Sequence, residues 1–211
     1  MAAAAGGSFE SVNIAQTEQA DECELGATAL LDIVEKCLHA RSLEWIFLRE
    51  LRVGSGFQRS AAQRLDAFAL NCLAHNSMKR ICYEVKTSRA DFLTELKQPL
   101  KRRIGLRYSN EFYFVAPVGL LKSSEVPIEC GLVEAGVFTR SQREVVLSRS
   151  EPLVHFDPEH GLYCRVTVPA PWRETPAPTW QFVAGMLRNQ QKLLQNGRSK
   201  PPNQQRLPFV E

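Results

Sequence analysis

Two short β-rich runs, Arg80-Ile-Cys-Tyr-Glu-Val-Lys86 and Glu111-Phe-Tyr-Phe-Val-Ala116, are separated by a segment too long for a hairpin loop. In that segment Phe92, Leu93, Leu96 and Leu100 recur at helical spacing. A helix between two strands of one sheet forces a crossover, so the strands are expected to run parallel through a right-handed connection. Ser88 followed by Asp91 reads as a capping-box-like helix start, and Pro99 as a kink or restart. Upstream, Trp45–Val53 begins apolar and then alternates, and Arg64–Cys72 joins strand 80–86 through a turn around His75-Asn-Ser77. Thr28–Arg41, with Leu30, Leu31, Val34 and Leu38 on one side, is an amphipathic opening helix. The expected fold class is therefore α/β with a mixed central sheet: helix, three-stranded meander, crossover helix, parallel strand.

At 211 residues, with 44% hydrophobic and 23% charged side chains, the chain has room for one full core, and disordered, collagen-like and coiled-coil classes are excluded. Residues 1–24 are small, polar or acidic and residues 197–211 are rich in breakers, so both are expected to be flexible tails around a single domain over 25–196. Its core is expected at 28–137 and a C-terminal extension at 138–196. Cys130–Ala135 and Val137–Thr139 read as a short pair of strands extended by Arg143–Leu147, and Thr179–Leu194 as a helix. The opening residues lack a signal-peptide pattern and no stretch is long and apolar enough for a membrane span, so a cytoplasmic protein with no membrane partner is expected. Six cysteines without a CxxC pair argue against a zinc ribbon or redox motif and for buried thiols in a reducing compartment.

The chemistry concentrates in one tripeptide and its neighbour. Glu84 and Lys86 share a strand face because residues two apart point the same way. Asp66, on the preceding strand of the hairpin, is expected to bring a second carboxylate beside Glu84. Two carboxylates held together repel one another, and a divalent cation such as Mg²⁺ relieves that repulsion. A cation so placed neutralises charge on a phosphodiester and acidifies a bound water, with Lys86 orienting that water or meeting the phosphate.

Asp66, then Glu84-Val85-Lys86, resembles the D…(D/E)XK signature of the PD-(D/E)XK nuclease superfamily, although Leu65 stands where the literal motif has proline. The order of elements is similar to that superfamily's restriction-endonuclease-like core. A closer resemblance is to MmcB-like DNA repair proteins. It is carried by Glu84-Val-Lys-Thr-Ser-Arg-Ala-Asp-Phe-Leu93, the basic helix that follows, Asn110-Glu-Phe-Tyr-Phe-Val-Ala-Pro117 and Gly131-Leu-Val-Glu134. It implies metal ligation by the side chains of Asp66 and Glu84 and the carbonyl of Val85, with Lys86 as catalytic lysine. It also implies a further glutamate from the first helix or strand, for which Glu50 is preferred over Glu35. The implied cofactor is Mg²⁺ or Mn²⁺, and the implied function a metal-dependent deoxyribonuclease in DNA repair or processing, with RNA left open as substrate. The alternative is a catalytically inactive nuclease-fold module that binds nucleic acid, or a repair-complex adaptor.

Between Lys79 and Arg107 stand nine basic residues against three acids. Arg89, Lys97, Lys101, Arg102 and Arg103 are the expected phosphate-gripping set, contacting backbone rather than base edges. Phe112, Tyr113 and Phe114 are expected in the core, and His155–His160 in a surface turn. Gln205-Arg-Leu-Pro-Phe209 faintly resembles peptides that dock on sliding clamps, which implies a sliding-clamp or repair-complex partner for the tail. GxSxG, Walker A and GxGxxG patterns are missing, and with them the motifs of serine hydrolases, NTPases and dinucleotide enzymes.

Overall fold

The computed structural model describes residues 25–53, 63–138 and 154–199. The expectations for residues 1–24, for Arg143–Leu147 and for the chain beyond Ser199 lie outside the described residues. A seven-stranded mixed sheet has the order β1-β2-β3-β4-β5-β7-β6. Its strands are β1 (Trp45–Val53), β2 (Gln63–Asn71), β3 (Arg80–Val85), β4 (Glu111–Pro117), β5 (Gly131–Val137), β6 (Val154–Asp157) and β7 (Leu162–Val168). The first three pair antiparallel, β3, β4 and β5 pair parallel, and β5, β7 and β6 return to antiparallel pairing. The meander, the crossover and the parallel β3–β4 pair are as the sequence predicts.

Among the described residues four helices cover the two faces. Helix α1 (Ala27–Leu38) buries Leu30, Leu31, Ile33 and Val34 against a core of Ala67, Ala69, Tyr83, Val85, Tyr113, Val115 and Val133. The other face carries α2 (Arg89–Leu96), α3 (Arg103–Tyr108) and α4 (Trp180–Ser199) over Leu48, Leu51, Phe68, Cys82, Phe112, Phe114 and Leu132. Side chains two apart on a strand share a face. Cys82 and Glu84 therefore belong to the α2 face, and Tyr83 and Val85 to the α1 face.

Local chemistry explains the crossover. The Ser88 hydroxyl oxygen accepts from the Asp91 amide at 3.2 Å and caps α2. Pro99, which can donate no amide, falls after α2 ends and opens a 3₁₀ turn over Pro99–Arg102 that leads into α3. Gly105 lets α3 lie directly on the sheet, since a Cβ there would stand 2.7 Å from the Phe112 ring and 2.9 Å from the Cys82 sulfur. Phe92 is wholly buried and meets the Phe114 ring edge-on at 5.1 Å, fixing α2 above β3 and β4.

The C-terminal part differs from expectation. Gly131–Val137 is one strand paired with β4 on one side and β7 on the other, so Cys130–Ala135 and Val137 do not belong to two separate strands; Thr139 lies outside the described residues. The His155–His160 segment is not all turn, because His155, Phe156 and Asp157 belong to β6 in a hairpin with β7. Helix α4 continues past Leu194 to Ser199. Among the described residues no helix is long and apolar enough to cross a membrane.

Candidate functional site

The site forms where β2 leaves β3. Their ladder ends at Ala67↔Tyr83, and one further step in the same register sets Asp66 opposite Glu84. Beyond that point the Val85 amide donates to the Asp66 carboxylate, Oδ2 at 3.0 Å. A side-chain oxygen thus takes the place of a backbone carbonyl, and the Val85 carbonyl lies past the last β2–β3 pair. The divergence has a counterpart in β1. Glu50 adopts φ +49°, a left-handed conformation that side chains other than glycine take at a cost of about 1–2 kcal/mol, and the β1–β2 ladder skips it. Leu48 and Leu51, three apart, then enter the same core, as do Leu65 and Phe68 on β2. Asn189 of α4 donates to the carbonyls of Arg49 and Glu50, each at 3.2 Å, holding the irregularity in place.

Lys86, at the exit of β3, is 4% exposed at its side chain. Its ammonium donates to Glu84 Oε1 at 3.1 Å and Glu95 Oε2 at 2.8 Å, and stands 3.2 Å from Asp91 Oδ2. Asp91 and Glu95 were not singled out from the sequence as site residues. The signal was present: four apart on a helix that begins just after Lys86, they share the face turned toward it. Burial works against the Lys86 charge, but Glu84 and the bond to Glu95 outweigh it and hold its pKa above the ordinary lysine value.

The carboxylates respond in the opposite direction. Burial first, and repulsion from Asp66 second, push Glu84 up to about 8 against the pull of Lys86. Asp66 is also raised, chiefly by burial, with the Val85 amide, Lys86 and Arg64 opposing. Two hard oxygen donors that resist ionising together make a site short of positive charge. Mg²⁺ is commonly bound by one or two carboxylates with waters and phosphate oxygens completing its octahedron, and Asp66, Glu84 and the Val85 carbonyl fit that donor set.

Glu50 stands apart from this group. Its side chain is 72% exposed and reaches Arg64 at 3.8 Å, while Arg64 in turn lies 4.0 Å from Asp66. It is therefore a neighbour across an arginine and not a third oxygen beside Asp66 and Glu84, contrary to expectation. Glu35 lies on the other face, where it and Asp32 grip Arg49.

The expected phosphate-gripping set divides. Arg102 is 4% exposed, bonded to the Glu95 carbonyl at 3.4 Å and to Glu129 at 3.3 Å, with its guanidinium 6.0 Å from the Phe114 ring centre. It braces α2 from within and offers nothing to a surface ligand. Arg89 makes two bonds to Glu125, at 2.7 and 2.5 Å. Lys97, Lys101 and Arg103 are exposed, and no carboxylate among the described residues closes on them. Gln63 donates to the Leu100 carbonyl at 3.3 Å, which keeps this cationic turn beside the start of β2 and so near Arg64 and Asp66.

Phe112, Tyr113 and Phe114 are buried in the two cores, as expected. Among the described residues the one group of three ligand-type side chains with atoms within 4.8 Å of one another is Asp157, Glu159 and His160, in the β6–β7 turn. There Asp157 accepts from the Glu159 and His160 amides and pairs with the His160 ring at 2.7 Å, so the turn's own hydrogen bonds account for the cluster.

No family model matches the chain, and no curated protein matches it. A solved structure does: the SPO1766 protein of unknown function from Silicibacter pomeroyi is similar with a TM-score of 0.52 at 17% identity, over 81% of this chain and 89% of that one. At that identity the likeness concerns the fold alone.

Proposed function

We propose that this protein is a metal-dependent nuclease that hydrolyses DNA phosphodiester bonds in repair or a related process, built on a restriction-endonuclease-like core. The observation that carries the reading is the meeting of Asp66, Glu84 and Lys86 on one sheet face, at the point where β2 leaves β3 and before the parallel crossover. Asp66 and Glu84 would hold Mg²⁺ or Mn²⁺ with the Val85 carbonyl. When bound there, the ion supplies neutralisation of phosphate charge and a more acidic water. Lys86, kept cationic by Glu84 and Glu95, meets the phosphate or orients the water. Glu95 and Asp91 act through Lys86 and are positioning residues. Lys97, Lys101 and Arg103 serve as the contact to the nucleic-acid backbone.

The test is cleavage of plasmid and single-stranded DNA with Mg²⁺ or with EDTA, by the full chain and by Glu84→Gln and Asp66→Asn. Products that need the metal and vanish in both variants are expected. Cleavage indifferent to either change would overturn the assignment.

One observation favours a second reading, a nuclease-fold module that binds nucleic acid without turnover. The Lys86 ammonium already has two hydrogen-bond acceptors and a third carboxylate at 3.2 Å, so it can be read as structural. That reading predicts salt-sensitive binding that survives loss of Glu84, with no product under any metal.

A further inference from the structure

Trp45, Phe47 and Arg49 alternate along β1, so all three turn to the α1 face, where Arg49 meets Asp32 and Glu35. With the last turn of α1 and the turn after β6 they line a cleft of about 690 Å³, a size usual for small-molecule sites. Both edge strands of the sheet contribute to it, β6 through Phe156 and Asp157. The lining carries four carboxylates, Asp32, Glu35, Asp157 and Glu159, against two cations, Lys36 and Arg49. The cleft is therefore short of positive charge, and it adjoins the C-terminal, negative end of the α1 dipole. Its half-buried aromatic rings, Trp45, Phe47 and Phe156, offer faces that attract a cation, and the Arg49 guanidinium already stands 5.7 Å from the Phe47 ring centre. Between these groups lies a buried polar ring. His39 is 5% exposed, with ring centres 4.4 Å from Trp45 and 5.4 Å from Phe47. Its Nε2 shares a 2.8 Å hydrogen bond with the Tyr83 hydroxyl, and its Nδ1 has no hydrogen-bond partner in the protein. Buried polar atoms are ordinarily paired, so the unmatched nitrogen marks where a ligand's polar group belongs. Burial holds the His39 pKa down to about 3, so at neutral pH the ring adds no charge and keeps one acceptor nitrogen.

We propose that this cleft binds a primary ammonium group carried on an apolar chain, as in an alkylamine or a lysine side chain, with the ammonium donating to His39 Nδ1 and to the lining carboxylates and the carbon chain lying against the aromatic rings. In the bound state His39 Nε2–H donates to the Tyr83 oxygen, which leaves the Nδ1 lone pair for the ligand. A carboxylate or phosphate ligand is disfavoured by the same acidic surplus. The site lies on the face opposite Asp66 and Glu84, and the inference does not depend on the nuclease reading.

The test follows the isotope-labelled full chain by NMR as hexylammonium, hexyltrimethylammonium or hexanoate is added. Hexylammonium is expected to give saturable shifts at the Trp45 indole N–H, and hexanoate none. Hexyltrimethylammonium keeps the charge and the chain but has no N–H to donate, and should bind about tenfold more weakly. His39→Leu should bring the two cations to equal affinity, and Trp45→Leu should weaken both. If either variant does not fold, the ligand series on the unaltered chain decides. A lysine peptide capped at both ends separates the two sources: binding tighter than hexylammonium assigns the cleft to a protein side chain, and weaker binding to a free amine. A Trp45 signal unmoved by hexylammonium, hexanoate binding as tightly, or the two cations binding alike to the unaltered chain would overturn the proposal.

Discussion

Glu84 and Glu134 lie on the same face of one sheet, two strands apart, and the fold treats them in opposite ways. Glu134 accepts from the Gly119 amide at 2.8 Å, from Arg165 at 2.6 and 3.2 Å and from the Thr167 hydroxyl at 2.7 Å. Burial would raise its pKa, but these donors together hold it below the ordinary glutamate value. Glu84 has Lys86 as its hydrogen-bond donor and faces repulsion from Asp66 and Glu95, so it rises to about 8. A buried carboxylate with its donors in place is a structural fixture, whereas one left short of positive charge beside a second carboxylate is suited to a cation. Both glutamates stand in segments that carry the family resemblance, Glu84-Val-Lys86 and Gly131-Leu-Val-Glu134, and only the surroundings separate their roles.

The largest expected effect comes from removing the cation that Glu84 does have. Lys86→Ala leaves the buried Glu95 carboxylate without its counterion and Glu84 without its donor, and breaking such a buried pair costs about 3–5 kcal/mol, measurable by urea unfolding. Next is Glu134→Gln, which turns one of two acceptor oxygens into a donor and so leaves either the Gly119 amide or the Arg165 and Thr167 donors without an acceptor; it should cost about 1–3 kcal/mol without altering any response to divalent metal. The matching change Glu84→Gln should cost less than about 1 kcal/mol, because at neutral pH the native side chain is mostly protonated and the amide mimics it. Equal costs for the two glutamine variants would erase the distinction between the sites.

The pH dependence sharpens the same contrast. Glu84 binds its proton more tightly folded than unfolded, so its contribution to stability falls as pH rises from the ordinary value of 4.5 to about 8 and is level above that. Glu134 acts in the other direction, its contribution being present above the ordinary glutamate value and lost as acid protonates it. Unfolding free energies across that range should therefore lose the alkaline decline in Glu84→Gln and retain it in Glu134→Gln. A divalent ion must displace the Glu84 proton, so its affinity should climb up to tenfold per pH unit toward about 8.

The smallest effects concern the surface. Lys101→Glu or Arg103→Glu should leave stability within about 0.5 kcal/mol of the parent and weaken DNA binding, each lost phosphate contact lowering the salt slope by about 1. Arg102→Ala should do the reverse, lowering the melting temperature because its guanidinium braces α2 against Glu129 and Phe114.

Much of this was readable in the residues. The meander, the crossover helix with its break near Pro99 and the approach of Asp66 to Glu84 all follow from period-2 and helical spacing, which act locally. What escaped depends on contacts distant in sequence. Arg102 counts as one more base in a basic run, and only the 3₁₀ geometry after Pro99 turns it inward to Glu129. Arg165 and Thr167 alternate like the solvent face of a strand, yet the β5–β7 ladder sets them against Glu134. Glu50 has the right strand for a ligand, but its left-handed backbone directs it to Arg64.

The central claim, that Glu84 and Asp66 form a cation site and Glu134 does not, is tested most directly by thermal unfolding at pH 8 with increasing Mn²⁺, for the parent chain and both glutamine variants. The account predicts a concentration-dependent rise in melting temperature for the parent and for Glu134→Gln, and none for Glu84→Gln. A parent chain indifferent to Mn²⁺, or a Glu84→Gln variant that responds as strongly as the parent, would contradict it.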